Sequence, residues 1–418
     1  MARPGRRVDG GGHRLEEVPP IDGADAGPPR RGGRVSRPRV LHLFANYKWT
    51  GPADPAIRAA ARLRSLGVDV TFAQASFVHP GGEHRVSEEL WRWRLPVVTG
   101  LELRKHFHAP SLLRDLRALR RLIARDGYDV LHCHQGQDHL IAATACRRLS
   151  RPPVIVRSLY DPQAPRRGWR ERYAFARTQA VLAPTEPARE GVCRRFRFAP
   201  ERVLLQEPVT EPRELTGPDA RQRFGCSDEH LLVGITARVQ PHRRFELLWR
   251  VVRHVVRALP RVRFVLLGRG NERDLRRLVT QPIDELGIAE HVVLPGYQQG
   301  EAYHEALRAL DAFLFLVPGS DGTCRAVSDA MAFALPVVAT RRGILPELLR
   351  ARRPGEVPGF AVDETPQALG DALLRLLRDP SLRAECGRAA LRRARLDMDP
   401  ARAAERTREL YHVLLESQ

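Results

Sequence analysis

The sequence is nearly without lysine: of the 69 residues counted as Lys and Arg, only Lys48 and Lys105 are lysines. The net charge of +20 at pH 7 is therefore carried by arginine, which is spread through every stretch of helical spacing. A nucleic-acid binder gathers its cations on the element that tracks the phosphates, so an even spread disfavours nucleic acid as a partner. No apolar run of about twenty residues occurs, and the start, MARPGRRVDGGGHRLEEVPP, lacks the apolar core of a secretory leader. The expected location is the cytoplasm. The six cysteines, Cys133, Cys146, Cys193, Cys226, Cys324 and Cys386, form no C-x-x-C pair and no metal-ligand spacing. That pattern argues against both a disulfide framework and a zinc centre, and no metal site is expected.

What is present is alternation. Residues 1–37 are Gly-, Pro- and Arg-rich with hardly an apolar side chain, which predicts either a disordered tail or an extension ahead of the native start. From Arg39 short apolar strands alternate with amphipathic helices, the pattern of a parallel sheet covered on both faces. RVLHLFA (39–45), VDVTFAQA (68–75), YDVLHCH (128–134), PPVIVRSL, AVLAPT and RVLLQ read as strands, with helices over 53–67 and 111–125. TEPREL (210–215) reads as a connector. The pattern then restarts with LLVGITARV (231–239), VRFVLLG (262–268), HVVLPGY (291–297), AFLFLV (312–317) and PVVAT (336–340), and ends in helices over 367–376, 380–396 and 401–415. The expected architecture is α/β: two doubly wound, Rossmann-like domains at 38–211 and 212–400 facing a cleft, with 401–418 crossing back to the first domain. Ligands in such sheets sit at the carboxyl ends of strands.

One such end carries the segment Asp321-Gly322-Thr323-Cys324-Arg325-Ala326-Val327-Ser328-Asp329. A helix beginning here would offer the unpaired N–H groups of Thr323, Cys324 and Arg325, with the positive end of the helix dipole behind them, as a seat for a diphosphate. Asp329, two turns on, is placed to accept ribose hydroxyls. The plainer alternative is that Asp321 caps the helix and Asp329 is solvated.

The stretch DGTCRAVSDAMAFALPVVA resembles the "EGFGLPVLEAMACGVPVVA" of the retaining glycosyltransferases of family 4, whose two-domain fold is called GT-B; Asp329-Ala330-Met331-Ala332 and Pro336-Val337-Val338-Ala339 fix the register without gaps. The resemblance implies that Asp321 contacts the transferred sugar, that the amides after it, from Gly322 onward, contact sugar and phosphates, and that Asp329 holds the ribose. Both acids are Asp where the family usually has Glu. Ala237-Arg238-Val239-Gln240-Pro241-His242-Arg243 resembles the family's "GRLVPEKG", implying that Arg238 and Arg243 clamp the donor diphosphate. Gly268-Arg269-Gly270-Asn271 resembles its "GDGP" turn, implying that Gly268 belongs to the donor site through close backbone approach only. YDVLHCHQG resembles "DVVHAH", implying that His134 meets the donor sugar at the cleft edge, with His132 a competitor for that role. The loop NYKWTGPAD (46–54) stands where the family has a Gly-Gly loop, and only Gly51 is available there.

The implied activity is a metal-independent, retaining transfer of a hexose-type sugar from a nucleoside-diphosphate sugar, a co-substrate and not a cofactor, to an acceptor hydroxyl. Alternatives from the same residues are a sugar-nucleotide epimerase of related fold, a catalytically silent scaffold and a basic nucleic-acid-binding protein. Leu112, Leu113, Leu116, Leu119, Leu122 and Ile123 recur at helical spacing with Arg114, Arg117, Arg120, Arg121 and Arg125 between them. Residues 104–125 thus read either as a surface helix packing its leucines inward or as a peripheral contact with an anionic membrane. Arg166, Arg167, Trp169, Arg170 and Tyr173 extend that basic, aromatic surface. Lipid contact would suit a glycolipid or polysaccharide-precursor acceptor at the inner face of the cell membrane.

Overall fold

The structure is a computed structural model that describes residues 37–79, 82, 84–211, 213–317 and 324–417. The expected disordered tail lies outside the described residues, Arg37 apart, as do Asp321, Gly322 and Thr323.

Two parallel sheets organise the chain. The first has seven strands: β1 (Arg39–Phe44), β2 (Asp69–Gln74), β3 (Val97–Val98), β4 (Val130–Cys133), β5 (Val154–Ser158), β6 (Ala180–Ala183) and β7 (Val203–Leu205), in the order β3-β2-β1-β4-β5-β6-β7. The second has six: β8 (Leu231–Thr236), β9 (Val262–Leu267), β10 (Val292–Gly296), β11 (Ala312–Phe315), β12 (Val337–Thr340) and β13 (Gly359–Val362), in the order β10-β9-β8-β11-β12-β13. Each sheet is covered by helices on both faces; the central strands of the second are buried almost throughout and read as continuous apolar runs, whereas β1 and β4 of the first each carry a buried histidine. Strand order reverses between β1 and β4 and again between β8 and β11, and these are the positions where an open α/β sheet leaves a crevice. Strands β3 and β13 carry little pattern of their own: β3 is two residues long, and β13 is admitted against β12 only by Gly359, where a Cβ would lie 1.9 Å from the Val337 carbonyl oxygen.

The chain passes between the sheets twice. After β7 the connector is pinned to the C-terminal region: Thr210 N–H donates to the Met398 carbonyl at 2.9 Å, and the buried Glu207 carboxylate accepts from Arg393 at 3.1 Å and from Arg352. The last helix, Pro400–Glu416, returns to the first sheet. Its Ala404, Leu410 and Tyr411 share one apolar cluster with Ala53, Ala56 and Ile57 of the helix Ala53–Ser65 and with strand residues of β1 and β2.

The basic helix spans Ala109–Asp126, starting where His108 Nδ1 accepts the Ser111 N–H and ending on Gly127 in the left-handed conformation at φ 63°. Its leucine row is structural. Leu116, Leu119, Leu122 and Ile123 are buried against the first sheet, whereas Leu113 points outward and is 55% exposed.

Candidate active site

A cleft of about 580 Å³ lies at the carboxyl ends of both sheets. From the first sheet it is lined by the β1 loop (Trp49, Thr50, Gly51), the first turn and a half of the next helix (Asp54, Arg58), and Ser158 and Tyr160 at the end of β5. From the second it is lined by Arg238, Gln240, His242 and Arg243 after β8 and by Arg325 at the start of the helix Arg325–Ala332.

Of the residues singled out in the sequence, Gly51, Arg238, Arg243 and Arg325 meet on this cleft. Arg238 is exposed to it. Arg243 is anchored, its Nη1 donating to the Val317 carbonyl at 3.1 Å, directly ahead of the undescribed segment that contains Asp321. Cys324 enters the helix in the left-handed region, φ 51°, and its buried carbonyl accepts the Val327 N–H at 2.8 Å, leaving the N–H groups of Arg325 and Ala326 as first-turn donors. Arg325 bridges the domains, 3.5 Å from Asp54 and 3.6 Å from Asp329.

Three assignments look different in three dimensions. Asp329 is neither solvated nor open to a ribose: it is 7% exposed, and its Oδ1 accepts from Thr210 Oγ1 at 3.1 Å across the connector. Burial pushes its carboxyl above the ordinary range, and the Arg325 guanidinium pulls it back. Gly268 does not line the cleft. A Cβ there would lie 1.9 Å from the Ala237 carbonyl oxygen, so it serves close packing of β9 on the loop after β8. His134 is 1% exposed with both ring nitrogens occupied, Nε2 by His42 Nδ1 at 2.9 Å and Nδ1 by the Tyr160 hydroxyl at 2.6 Å. Tyr160 therefore stands between His134 and the cleft. The sequence pattern placed His134 at a strand end correctly; strand periodicity does not report how deeply the loop after β5 covers it.

Sequence reasoning passed over Ser158, Tyr160, Asp54 and Arg58. Asp54 was readable as an acid in a helix first turn, and Arg58, four residues later, binds it at 2.9 Å. Arg58 also reaches Glu211 of the connector at 3.2 Å, so one helix face ties the β1 loop to the inter-sheet hinge. His42 and His132 were visible as a register pair only once β1 and β4 were known to be neighbours.

Comparison with known proteins agrees with this geometry. Residues 218–393 match the family described as Glycosyl transferases group 1, and residues 56–205 match Glycosyltransferase Family 4. The chain is 30% identical over 288 residues to a D-inositol 3-phosphate glycosyltransferase of Stackebrandtia nassauensis, covering 63% of each chain. It is 26% identical over 243 residues to an alpha-D-kanosaminyltransferase of Streptomyces kanamyceticus, covering 56% of this chain and 59% of that one. The matched stretches thus span about three fifths of the length of these relatives. The structure of HepE from Anabaena in complex with UDP superposes with a TM-score of 0.71 at 18% identity, over 91% of this chain and 100% of that chain, which is a likeness of fold. Two sheets with paired switch points, a shared cleft and two family matches that between them take in both sheets make the chain a member of the family 4, group 1 glycosyltransferases, with the GT-B fold.

Proposed function

We propose that the protein is a retaining glycosyltransferase that moves a hexose-type sugar from a nucleoside-diphosphate sugar to an acceptor hydroxyl in this cleft. The observation that carries the reading is the convergence of Arg238, Arg243 and Arg325 with a helix start on one cleft between two Rossmann-like sheets. Transfer leaves charge on the departing diphosphate, and fixed guanidinium groups together with first-turn N–H donors stabilise that charge as it develops. This arrangement supports metal-independent chemistry, since the cations come from side chains. Asp321, Gly322 and Thr323 complete the donor seat by resemblance. The UDP held by HepE and the glycosyltransferase names of the relatives support a nucleotide donor.

The acceptor we propose is a glycolipid or a precursor of a surface polysaccharide, met at an anionic membrane. The outward face of the basic helix supports this. Arg114, Arg117 and Arg121 form an exposed row beside Leu113, with Phe107 and Trp169 also exposed, at 42% and 70%, and the Arg170 guanidinium 3.8 Å from the Phe107 ring centroid. Each surface cation contributes about 1 kcal/mol toward an anionic leaflet. Among the described residues no helix is long and apolar enough to cross a membrane.

A thermal-shift and calorimetric screen with UDP-, GDP- and ADP-sugars tests the reading. Arg238→Ala and Arg243→Ala should each weaken donor binding by about 10- to 100-fold, the range for a lost charged hydrogen bond. Equal donor binding by the wild type and both variants would remove the assignment. Cosedimentation with phosphatidylglycerol vesicles at low salt, abolished in the Arg114/Arg117/Arg121→Ser variant, checks the membrane part.

A further inference from the structure

Under the first-sheet wall of the cleft lies a set of buried polar side chains that the donor seat does not use. His42 and His132 are register partners on β1 and β4, and His134 follows two residues later, so three imidazoles share one face of the sheet. Four contacts set up two short lines: His42 Nδ1 to His134 Nε2 at 2.9 Å and His134 Nδ1 to the Tyr160 hydroxyl at 2.6 Å in the first, Ser158 Oγ to His132 Nε2 at 2.7 Å and His132 Nδ1 to the Tyr411 hydroxyl at 2.5 Å in the second. The first runs from inside the sheet to Tyr160 in the cleft, and the second from Ser158 in the cleft to the C-terminal helix.

A metal is the first alternative, because nitrogens of the three histidines lie within 4.8 Å of one another. The geometry disfavours it. The His132 and His134 rings are 12° from parallel and the His42 and His134 rings 22°, so their lone pairs run side by side instead of converging. Five of the six ring nitrogens are already bonded, leaving only His42 Nε2.

Proton counting then decides what the first line does. His42, His134 and Tyr160 each bring one proton, and burial keeps the two imidazoles neutral by pushing their pKa values well down. Two hydrogen bonds use two protons. The third has two places to go. On His42 Nε2 it is a buried donor without an acceptor among the described residues, and carries the desolvation cost of an unmade hydrogen bond. In the other arrangement the His42 and His134 N–H groups both donate along the line and the Tyr160 O–H turns into the cleft, where a bound oxygen can accept it.

We propose that Tyr160 is a carbohydrate-binding residue whose hydroxyl donates to an oxygen of the bound sugar, and that His42 and His134 are positioning residues that fix the direction of this donor. The assignment rests on the glycosyltransferase reading. The oxygen belongs either to the transferred sugar or to the acceptor, and the experiment separates the two sources.

Tyr160→Phe keeps the ring and removes the donor. Binding of the nucleoside diphosphate alone and of the corresponding nucleotide sugar is measured on the full chain by calorimetry. Donor consumption is followed with and without myo-inositol 3-phosphate and phosphatidylinositol vesicles as acceptor probes. If the oxygen is on the donor sugar, the nucleotide sugar loses about tenfold in affinity while the bare diphosphate changes less than twofold; if it is on the acceptor, only the acceptor-dependent rate falls, through KM. His42→Gln should give the same signature at about threefold, and the Tyr160→Phe/His42→Gln double variant should be no worse than Tyr160→Phe alone, because His42 acts only through Tyr160. The proposal is overturned if Tyr160→Phe changes neither quantity, if it weakens diphosphate and nucleotide sugar equally, if the two substitutions multiply, or if purified protein carries a stoichiometric transition metal. A wild type that binds neither diphosphate nor nucleotide sugar would instead defeat the glycosyltransferase reading itself, and this assignment with it.

Discussion

Across the central strand pair of the first sheet, His42 faces His132; across the corresponding pair of the second, Gly234 of β8 faces Phe313 of β11. The first interior also buries His134, His139, Asp138 and Arg157; the second buries Ser328, Asp329 and Arg393 on its helices, while β8, β9, β11 and β12 keep only Thr340 as a buried polar residue among those described. Both sheets have the same topology around their switch points, so this difference is not imposed by the fold. An apolar strand centre needs only complementary volume. A polar one must satisfy every donor and acceptor, and in return it fixes the direction of the groups that reach the cleft. The second domain presents its cleft groups from loops and a helix start on apolar strands, and the first presents Ser158 and Tyr160 from the end of β5 and the loop just after it.

Acid should break the contrast most strongly. The imidazoles of His42, His132, His134 and His139 are all depressed by burial, His42 to about 3. Their folded-state pKa values lie below the unfolded value near 6.5, so the unfolded chain binds more protons between the two. The stability they confer is complete above about pH 6.5 and is lost as pH falls toward 3. At pH 5.5, about one unit below the unfolded value, keeping a buried histidine neutral costs on the order of 1 kcal/mol. Urea unfolding read by hydrogen exchange, corrected for intrinsic rates, should show peptides of β1, β4 and β5 losing protection on acidification before those of β8, β11 and β12. Parallel loss in both sheets would refute the distinction.

The second sheet should instead be sensitive to volume. A Cβ on Gly234 would lie 2.1 Å from Leu310 Cδ1, so Gly234→Ala overfills that core. The expected cost is about 1–3 kcal/mol, equal at pH 7.5 and pH 5.5 and visible as a shift in urea midpoint without change in slope.

The same contrast explains what the sequence made legible. Between Leu231 and Gly343 the apolar runs LLVGIT, VRFVLL and AFLF are the strands themselves, and the charged positions just beyond β8, Arg238 and Arg243, are the ones that reach the cleft. In the first domain the informative residues interrupt the pattern. His42 within RVLHLF and His132 within VLHC are polar letters in apolar strands, and their meaning depends on β1 lying beside β4, a relation fixed by the crossover and not by any local spacing. Tyr160 sits two residues past the end of β5 and had no periodicity to announce it. Asp329 was legible as a carboxylate in the right register, but its partner Thr210 lies 119 positions away on the connector.

The smallest expected effect concerns the bridge between the two halves. Arg325 of the second domain lies 3.5 Å from Asp54 of the first, and Asp54 is also held by Arg58 at 2.9 Å. The Arg325 side chain is 52% exposed, so the pair is solvent-screened and its coupling should be only about 0.2–1 kcal/mol in an Asp54→Asn/Arg325→Gln double-mutant cycle, fading in high salt. Its consequence for binding is more informative than its stability. In the proposed donor site Asp54 would compete with an incoming diphosphate for the Arg325 guanidinium. Asp54→Asn should therefore leave nucleotide affinity unchanged or raise it by up to about fivefold at low salt, the same free energy expressed as binding. A loss of affinity in Asp54→Asn would mean that the aspartate holds Arg325 in its productive position, and the first domain would then be orienting a donor group on the second as well as its own.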